Sequence, residues 1–155
     1  MVQLTSYLNV DAVALDVTAD DKASLLREAC VCLARVLPGV PAATITDLLV
    51  AREKVASTGV GEGIAIPHAT CDAIDVPRLG LLRTSGPVDF DAVDQQPVRL
   101  VMVVLAPKNA QALHLRLLAR IARLVRSEQI RGSLFAAQTP AEAFAVIDAH
   151  EAGLR

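Results

Sequence analysis

The sequence predicts one layered α/β (or α+β) domain in which helices enclose strands. Three observations carry that expectation. The apolar run Leu100 to Ala106, inside the strand-like segment VRLVMVVLA, suits a central strand covered on both faces. Amphipathic helical patterns flank it, at 21–37 and at 110–126. A chain of 155 residues has the length of a single domain, expected to span 1–155, and no repeats or low-complexity tracts divide it.

From Asp21 to Leu37, Leu25, Leu26, Ala29, Cys30, Leu33, Val36 and Leu37 recur at three- and four-residue spacing. Asp20 is the expected N-cap of that helix and Pro38-Gly39 its stop. A second helix is expected from about Ala42 to Glu53, with Ile45, Leu48 and Leu49 inward. The pattern then breaks. Gly59, Gly61 and Gly63 alternate, Ile64-Ala65-Ile66 follows, and Pro67-His68 closes the segment, so a glycine loop should feed a short strand with His68 just past its end. Arg78 to Thr84 (RLGLLRT) reads as a strand, and Val98 to Ala106 as the strongest one. Between them, Gly86 to Pro97 should form a hairpin-like excursion around Val88, Phe90 and Val93.

At about 100° per residue, the helix of about Ala110 to Arg126 gathers His114, Leu117, Leu118, Ile121, Leu124 and Val125 on one face. Arg116, Arg120 and Arg123 form a stripe on the other, expected to be solvated. Ser127 is placed to cap a short helix holding Ile130, Leu134 and Phe135. Thr139-Pro140-Ala141-Glu142 combines a capping box with Pro at the first helical position, which starts a terminal helix running to about His150, itself expected at the surface.

Composition narrows the function classes. The chain is 53% hydrophobic but only 3% aromatic, so its core must be aliphatic and Ala-rich. Lys and Arg number 15 against 17 Asp and Glu, a balance that argues against a nucleic-acid binder or a polybasic membrane binder. No run approaches the roughly 18–20 apolar residues of a spanning helix, and no signal peptide is expected at the start. Cys30, Cys32 and Cys71 lack metal-type Cys-x-x-Cys spacing, and cytoplasm is the expected compartment.

The stretch Arg52 to His68 holds the chemistry. It joins a basic residue at a helix end, the hydroxyls of Ser57 and Thr58, three glycines, and a histidine held by a preceding proline. Glycines let a backbone approach a ligand closely, and successive N–H groups can form an anion nest. Taken alone, a glycine run of this kind is more often a tight turn than a phosphate cradle. It is no dinucleotide fingerprint, because an extended IAI triplet follows where a helix should open, and no P-loop, because no Gly-Lys-Ser/Thr ends it. His114 stands where a core Leu would be expected, so it is either a satisfied core histidine or a site residue. Cys71, three residues after His68, raises a His68/Cys71/His114 metal site, but no further ligand is placed, and Cys71 is read as incidental.

The segment RExxxSTGxGxGIAIPH, from Arg52 to His68, resembles the signature of the fructose/mannitol-type (type-2) IIA domains of the bacterial phosphoenolpyruvate-dependent phosphotransferase system. The resemblance continues through Val88 to Val98 (VDFDAVDQQPV) and His114 to Arg120 (HLRLLAR), and covers about Leu4 to His150. The FDAVDQQPV segment is most similar to the nitrogen-regulatory (IIA-Ntr) branch. The resemblance implies a mixed β-sheet flanked by helices on both faces. It implies that His68 is phosphorylated on Nε2, that His114 is a second active-site histidine, and that Arg52 stabilises the phosphate, with Thr58 and Gly59 as further phosphate-binding candidates. Relatives often carry a basic residue soon after the signature histidine. Here Ala69-Thr70-Cys71 follows, which would alter partner affinity without touching the nucleophile.

The implied donor is a histidine phosphocarrier protein, and the implied downstream partner is a regulated protein or a sugar-specific IIB domain. No metal, nucleotide or organic cofactor is expected, because an incoming phosphohistidine is already activated. The competing expectation is a non-catalytic regulatory module that binds partners through the same surface, since fold alone does not carry activity.

Overall fold

A computed structural model describes residues 2–154. After a 3-10 turn at Leu4–Ser6, the elements run β1 (Leu8–Val17), α1 (Lys22–Ala34), α2 (Ala42–Val55), β2 (Gly59–Gly61), β3 (Ile64–Ala65) and β4 (His68–Cys71). They continue with β5 (Arg78–Val88), β6 (Val98–Pro107), α3 (Gln111–Val125), α4 (Glu128–Ala136) and α5 (Pro140–Ala152). The strands form one mixed sheet in the order β1-β5-β6-β3-β2, with β4 also on β6. β5 runs parallel to β1 and antiparallel to β6; β3 and β4 both run parallel to β6.

β6 is the central strand that its apolar run predicts, and its period-2 alternation feeds two cores. Val101, Val103 and Leu105 join Leu25 and Leu33 of α1 and Ile45 and Leu49 of α2. Leu100, Met102 and Val104 join Leu117 and Ile121 of α3, Leu134 of α4 and Ile147 of α5 on the opposite face. Burying each such side chain contributes roughly 1.5–3 kcal/mol, so a strand used on both faces must be apolar throughout. Helices therefore cover both faces of a mixed sheet, as the family resemblance implies.

Several local expectations change. β1 was not foreseen, because Asn9, Asp11 and Asp16 interrupt its apolar pattern; its pairing with β5 supplies what the pattern lacks. Asp21, not Asp20, caps α1: its carboxylate accepts the Ser24 N–H at 2.8 Å while the Ser24 hydroxyl accepts the Asp21 N–H. That helix ends at Ala34, three residues early, but i→i−3 turns through Leu37 keep the apolar side chains inward. Ser127 and Thr139 cap α4 and α5 through the N–H groups of Ile130 and Glu142. The Glu142 carboxylate, however, accepts from Gln138 rather than closing the box on Thr139.

The arginine stripe on α3 is not uniformly solvated. Arg120 turns inward, with Nε 3.5 Å from the fully buried Glu151 carboxylate, which also accepts the Leu4 and Thr5 N–H groups. His150 is half-buried rather than at the surface. Cys30 and Cys32 are both buried despite the roughly 200° between them. Burial pushes the Cys32 thiol up to about 11, and its Sγ donates to the Ala12 carbonyl. None of the helices formed by the described residues is long and apolar enough to cross a membrane.

Candidate functional site

His68 does not follow a strand; it begins one. β3 and β4 hold the same register on β6, Ala65 opposite Val101 and His68 opposite Val104, so 64–71 is a single extended track. Pro67 has no N–H for the ladder, and the pairing is written as two short strands around it. The Pro67 carbonyl still accepts the Val104 N–H at 2.9 Å. Alternation along this track decides which way His68 faces. Ala65, Ala69 and Cys71 enter the core beneath α1 and α2, whereas Ile64 and Ile66 enter the core beneath α3. His68 shares the parity of Ile64 and Ile66, so its ring is on the α3 side.

α3 brings His114 to the same place. The helix starts just after β6 ends, packs on the sheet through Leu117 and Ile121, and carries His114 one turn earlier on that stripe. The two imidazole rings meet edge to face, with centroids 5.6 Å apart and planes at 74°. Both side chains are half-buried.

The two rings are prepared differently. His68 Nδ1 lies 2.8 Å from the Ile66 carbonyl oxygen. A carbonyl only accepts, so the neutral ring must carry its proton on Nδ1 and leave the Nε2 lone pair open. His114 Nε2 is buried and, among the described residues, has no hydrogen-bond partner. Burial lowers the His114 pKa below its ordinary 6.5, and the neighbouring His68 adds a second push in the same direction. A buried polar atom without a partner costs stability, and such costs concentrate where a ligand group is to be received.

The sign of that shift gives a test. A histidine whose folded pKa is depressed contributes stability that is fully present above its unfolded value and is lost as pH falls. Urea unfolding should therefore show the wild-type midpoint falling from pH 6.5 downwards more steeply than that of His114→Gln. Parallel pH profiles for the two proteins would show that His114 is not held neutral by its surroundings.

The remaining candidates occupy the other side. Arg52 lies in the last turn of α2, a helix that packs on β4 from the layer opposite α3. Its Nη1 donates to the Ala56 carbonyl at 3.1 Å, across the C-terminus of its own helix. Thr58 is buried, and both of its donors end on Glu53: N–H to Oε1 at 2.8 Å and hydroxyl to Oε2 at 2.6 Å. The Gly59 N–H goes to the Ser57 hydroxyl. A Cβ on Gly59 would stand 2.7 Å from the Ala92 Cβ, so glycine is required there by the close passage of the 89–97 loop. Gly61, at φ +102°, makes the β2–β3 turn that other residues resist. The glycine segment is thus a hairpin whose Thr58 and Gly59 N–H groups already have acceptors inside the protein.

Sequence reasoning missed Glu53. Its side chain is 4% exposed, and Lys22 Nζ sits 3.0 Å from Oε1. The signal was present: Ile45, Leu49 and Glu53 fall at i, i+4 and i+8, which puts a carboxylate on the inward stripe of α2.

Comparison with known proteins shows the family and the fold. The family described as "Phosphoenolpyruvate-dependent sugar phosphotransferase system, EIIA 2" matches residues 6–150. A nitrogen regulatory protein of Pseudomonas aeruginosa is 37% identical over 147 residues, covering 95% of this chain and 96% of its own. The crystal structure of nitrogen regulatory protein IIA-Ntr from Neisseria meningitidis superposes with a TM-score of 0.86 at 34% identity, over 92% of this chain and 97% of that one. The IIA mannitol structure from Escherichia coli shares the fold, with a TM-score of 0.73 at 22% identity over 90% of this chain and 97% of that one.

Proposed function

The chain belongs to the EIIA 2 family of the phosphoenolpyruvate-dependent sugar phosphotransferase system, and we propose that His68 is its phosphoryl carrier. One observation carries the assignment: the Ile66 carbonyl holds the His68 proton on Nδ1 and so presents the Nε2 lone pair beside His114. In the transfer, Nε2 attacks the phosphorus of a donor protein's phosphohistidine. A new N–P bond forms, the donor's N–P bond breaks, and its electron pair returns to the donor imidazole. The His68 ring gains cationic character, which the Ile66 carbonyl stabilises at Nδ1–H. The added phosphoryl charge raises the proton affinity of His114, whose orphaned Nε2 then donates to a phosphoryl oxygen. Arg52 is the further cation that the family resemblance suggests, and to reach the phosphate it would have to leave the Ala56 carbonyl and cross from the α2 layer. Positioning and charge stabilisation are the main demands of such a step, and it calls for no metal or nucleotide.

The donor in this reading is a histidine phosphocarrier protein, and the output is regulatory binding in the cytoplasm rather than sugar transport. Similarity to nitrogen regulatory proteins along almost the whole chain supports that branch. Phosphorylation adds about −1.5 to −2 charges at pH 7 to a half-buried ring. A partner packed over the free His68 would meet that charge desolvated, and a penalty of only ~1.4 kcal/mol weakens binding about tenfold. Affinity capture from cell extract with the phosphorylated protein and with His68→Ala, which mimics the free state, should recover different partners. Identical partners for both forms, or efficient transfer to a IIB protein coupled to sugar uptake, would contradict the regulatory reading.

A further inference from the structure

The buried carboxylate of Glu53 sits far from the reacting atoms in bonding terms, yet an unbroken chain of short hydrogen bonds joins the two. The Thr58 N–H and hydroxyl both donate to Glu53, at 2.8 and 2.6 Å. The Thr58 carbonyl accepts the Ile66 N–H at 2.9 Å. The Ile66 carbonyl accepts the His68 Nδ1–H at 2.8 Å. Every link is either a backbone group or an interior side chain, so little slack lies between the carboxylate and the imidazole.

We propose that Glu53 is a positioning residue for the phosphoryl carrier: its carboxylate fixes Thr58, Thr58 fixes Ile66, and the Ile66 carbonyl thereby selects the His68 tautomer. The proposal rests on His68 being the carrier. Its physical need is local. Pro67 withholds a ladder N–H at the centre of the 64–71 track, and no strand pairs β4 on the side away from β6 among the described residues. The Ile66 N–H bond to Thr58 is therefore what steadies the outer edge of the track immediately before His68. Thr58 in turn needs a firm anchor, because the β2–β3 hairpin that it leads into is only a few residues long and shifts register between Gly59 and Gly61.

A buried charge is a firm anchor when it is fully met by donors, and expensive when it is not. Glu53 is met by Thr58 twice and by Lys22 at 3.0 Å, and Lys22 reaches Asp91 at 3.8 Å and lies over the Phe90 ring. Lys22 thus ties the 89–97 loop to the same carboxylate, and the Ser57 hydroxyl, next to Thr58 in the chain, donates to the Phe90 carbonyl of that loop. A merely structural role would loosen the fold in general; a positioning role moves the imidazole proton.

The two are separated by ring-nitrogen NMR of His68 in the unphosphorylated protein at alkaline pH, with phosphoryl uptake as a second readout. Glu53→Gln keeps the volume but removes the charge and one acceptor. It should turn the single Nδ1–H tautomer of the wild type into a mixture. Phosphoryl uptake should slow by about tenfold, with the KM for the donor protein unchanged. Thr58→Val, a milder variant that removes only the hydroxyl donor, should shift the tautomer in the same direction by less. Glu151→Gln is the control for general loosening: Glu151 is fully buried in the opposite core and should lower the unfolding midpoint while leaving His68 untouched. A wild-type tautomer in both Glu53→Gln and Thr58→Val, or an equal shift in Glu151→Gln, would overturn the proposal. Because the tautomer is read without any donor, a wild-type protein that takes no phosphate would refute the carrier assignment separately.

Discussion

His68→Ala should abolish phosphoryl uptake altogether, leaving no measurable incorporation where the wild type takes a single phosphate. The expectation follows from what the alternative acceptors look like. His150 is half-buried in the last helix, and Cys30, Cys32 and Cys71 are buried thiols. His114 has a buried Nε2 and lowered basicity. That buried atom offers no solvent-open line of attack on a donor's phosphorus. The linkage should be labile in acid and stable in base, as a phosphoramidate is and a phosphate ester is not. Intact mass before and after acid treatment reads both properties. Acid-stable phosphate, or full labelling of the alanine protein, would remove His68 from the mechanism.

His114→Ala should separate carriage from assistance. The variant keeps the nucleophile, so it should still end fully phosphorylated, but transfer in either direction should slow by about 10²-fold if one preorganised donor is lost. The geometry is favourable for such a donor because it is already desolvated and needs no reorganisation as phosphoryl charge arrives. Truncation also relieves a buried polar atom of its missing partner. The unphosphorylated variant should therefore unfold at a midpoint close to that of the wild type even though its kinetics are much slower. Rapid-quench measurement of forward and reverse transfer checks the claim. Normal rates in both directions would make the helix histidine a core residue and nothing more.

Much of this was readable in the residues, for reasons that differ from element to element. β6 announced itself because a strand covered on both faces has no polar positions, and α3 because its 3.6-residue apolar stripe spans four turns. His114 was visible as an interruption of that stripe. The meeting of His114 with His68 was not derivable from spacing, since it depends on the register of β4 against β6 and on the parity of the IAIPHATC track. β1 was hidden because its stability comes from the partner strand. The glycine segment by itself leaves a tight turn and a phosphate cradle both open. In the folded chain Gly59 answers to Ala92 and Gly61 to a turn, while Thr58 answers to Glu53. Those are tertiary contacts, and no local pattern encodes the neighbour that makes a glycine necessary. Arg120 and Glu151 escaped for the same reason: each looks solvated on its own helix, and only the packing of α3 against α5 and the N-terminal turn buries the pair.

The central claim is that Nε2 of His68 carries the phosphoryl group while Nδ1 keeps its proton on the Ile66 carbonyl. Its most direct test is a ring-nitrogen NMR spectrum of the labelled protein, recorded before and after incubation with phosphoenolpyruvate, the general phosphotransferase enzyme and its histidine carrier protein. Phosphorus coupling should appear at Nε2 of His68, with the Nδ1–H resonance retained in both states. Coupling at Nδ1, or a spectrum in which the His68 ring does not change as phosphate is incorporated, would contradict it.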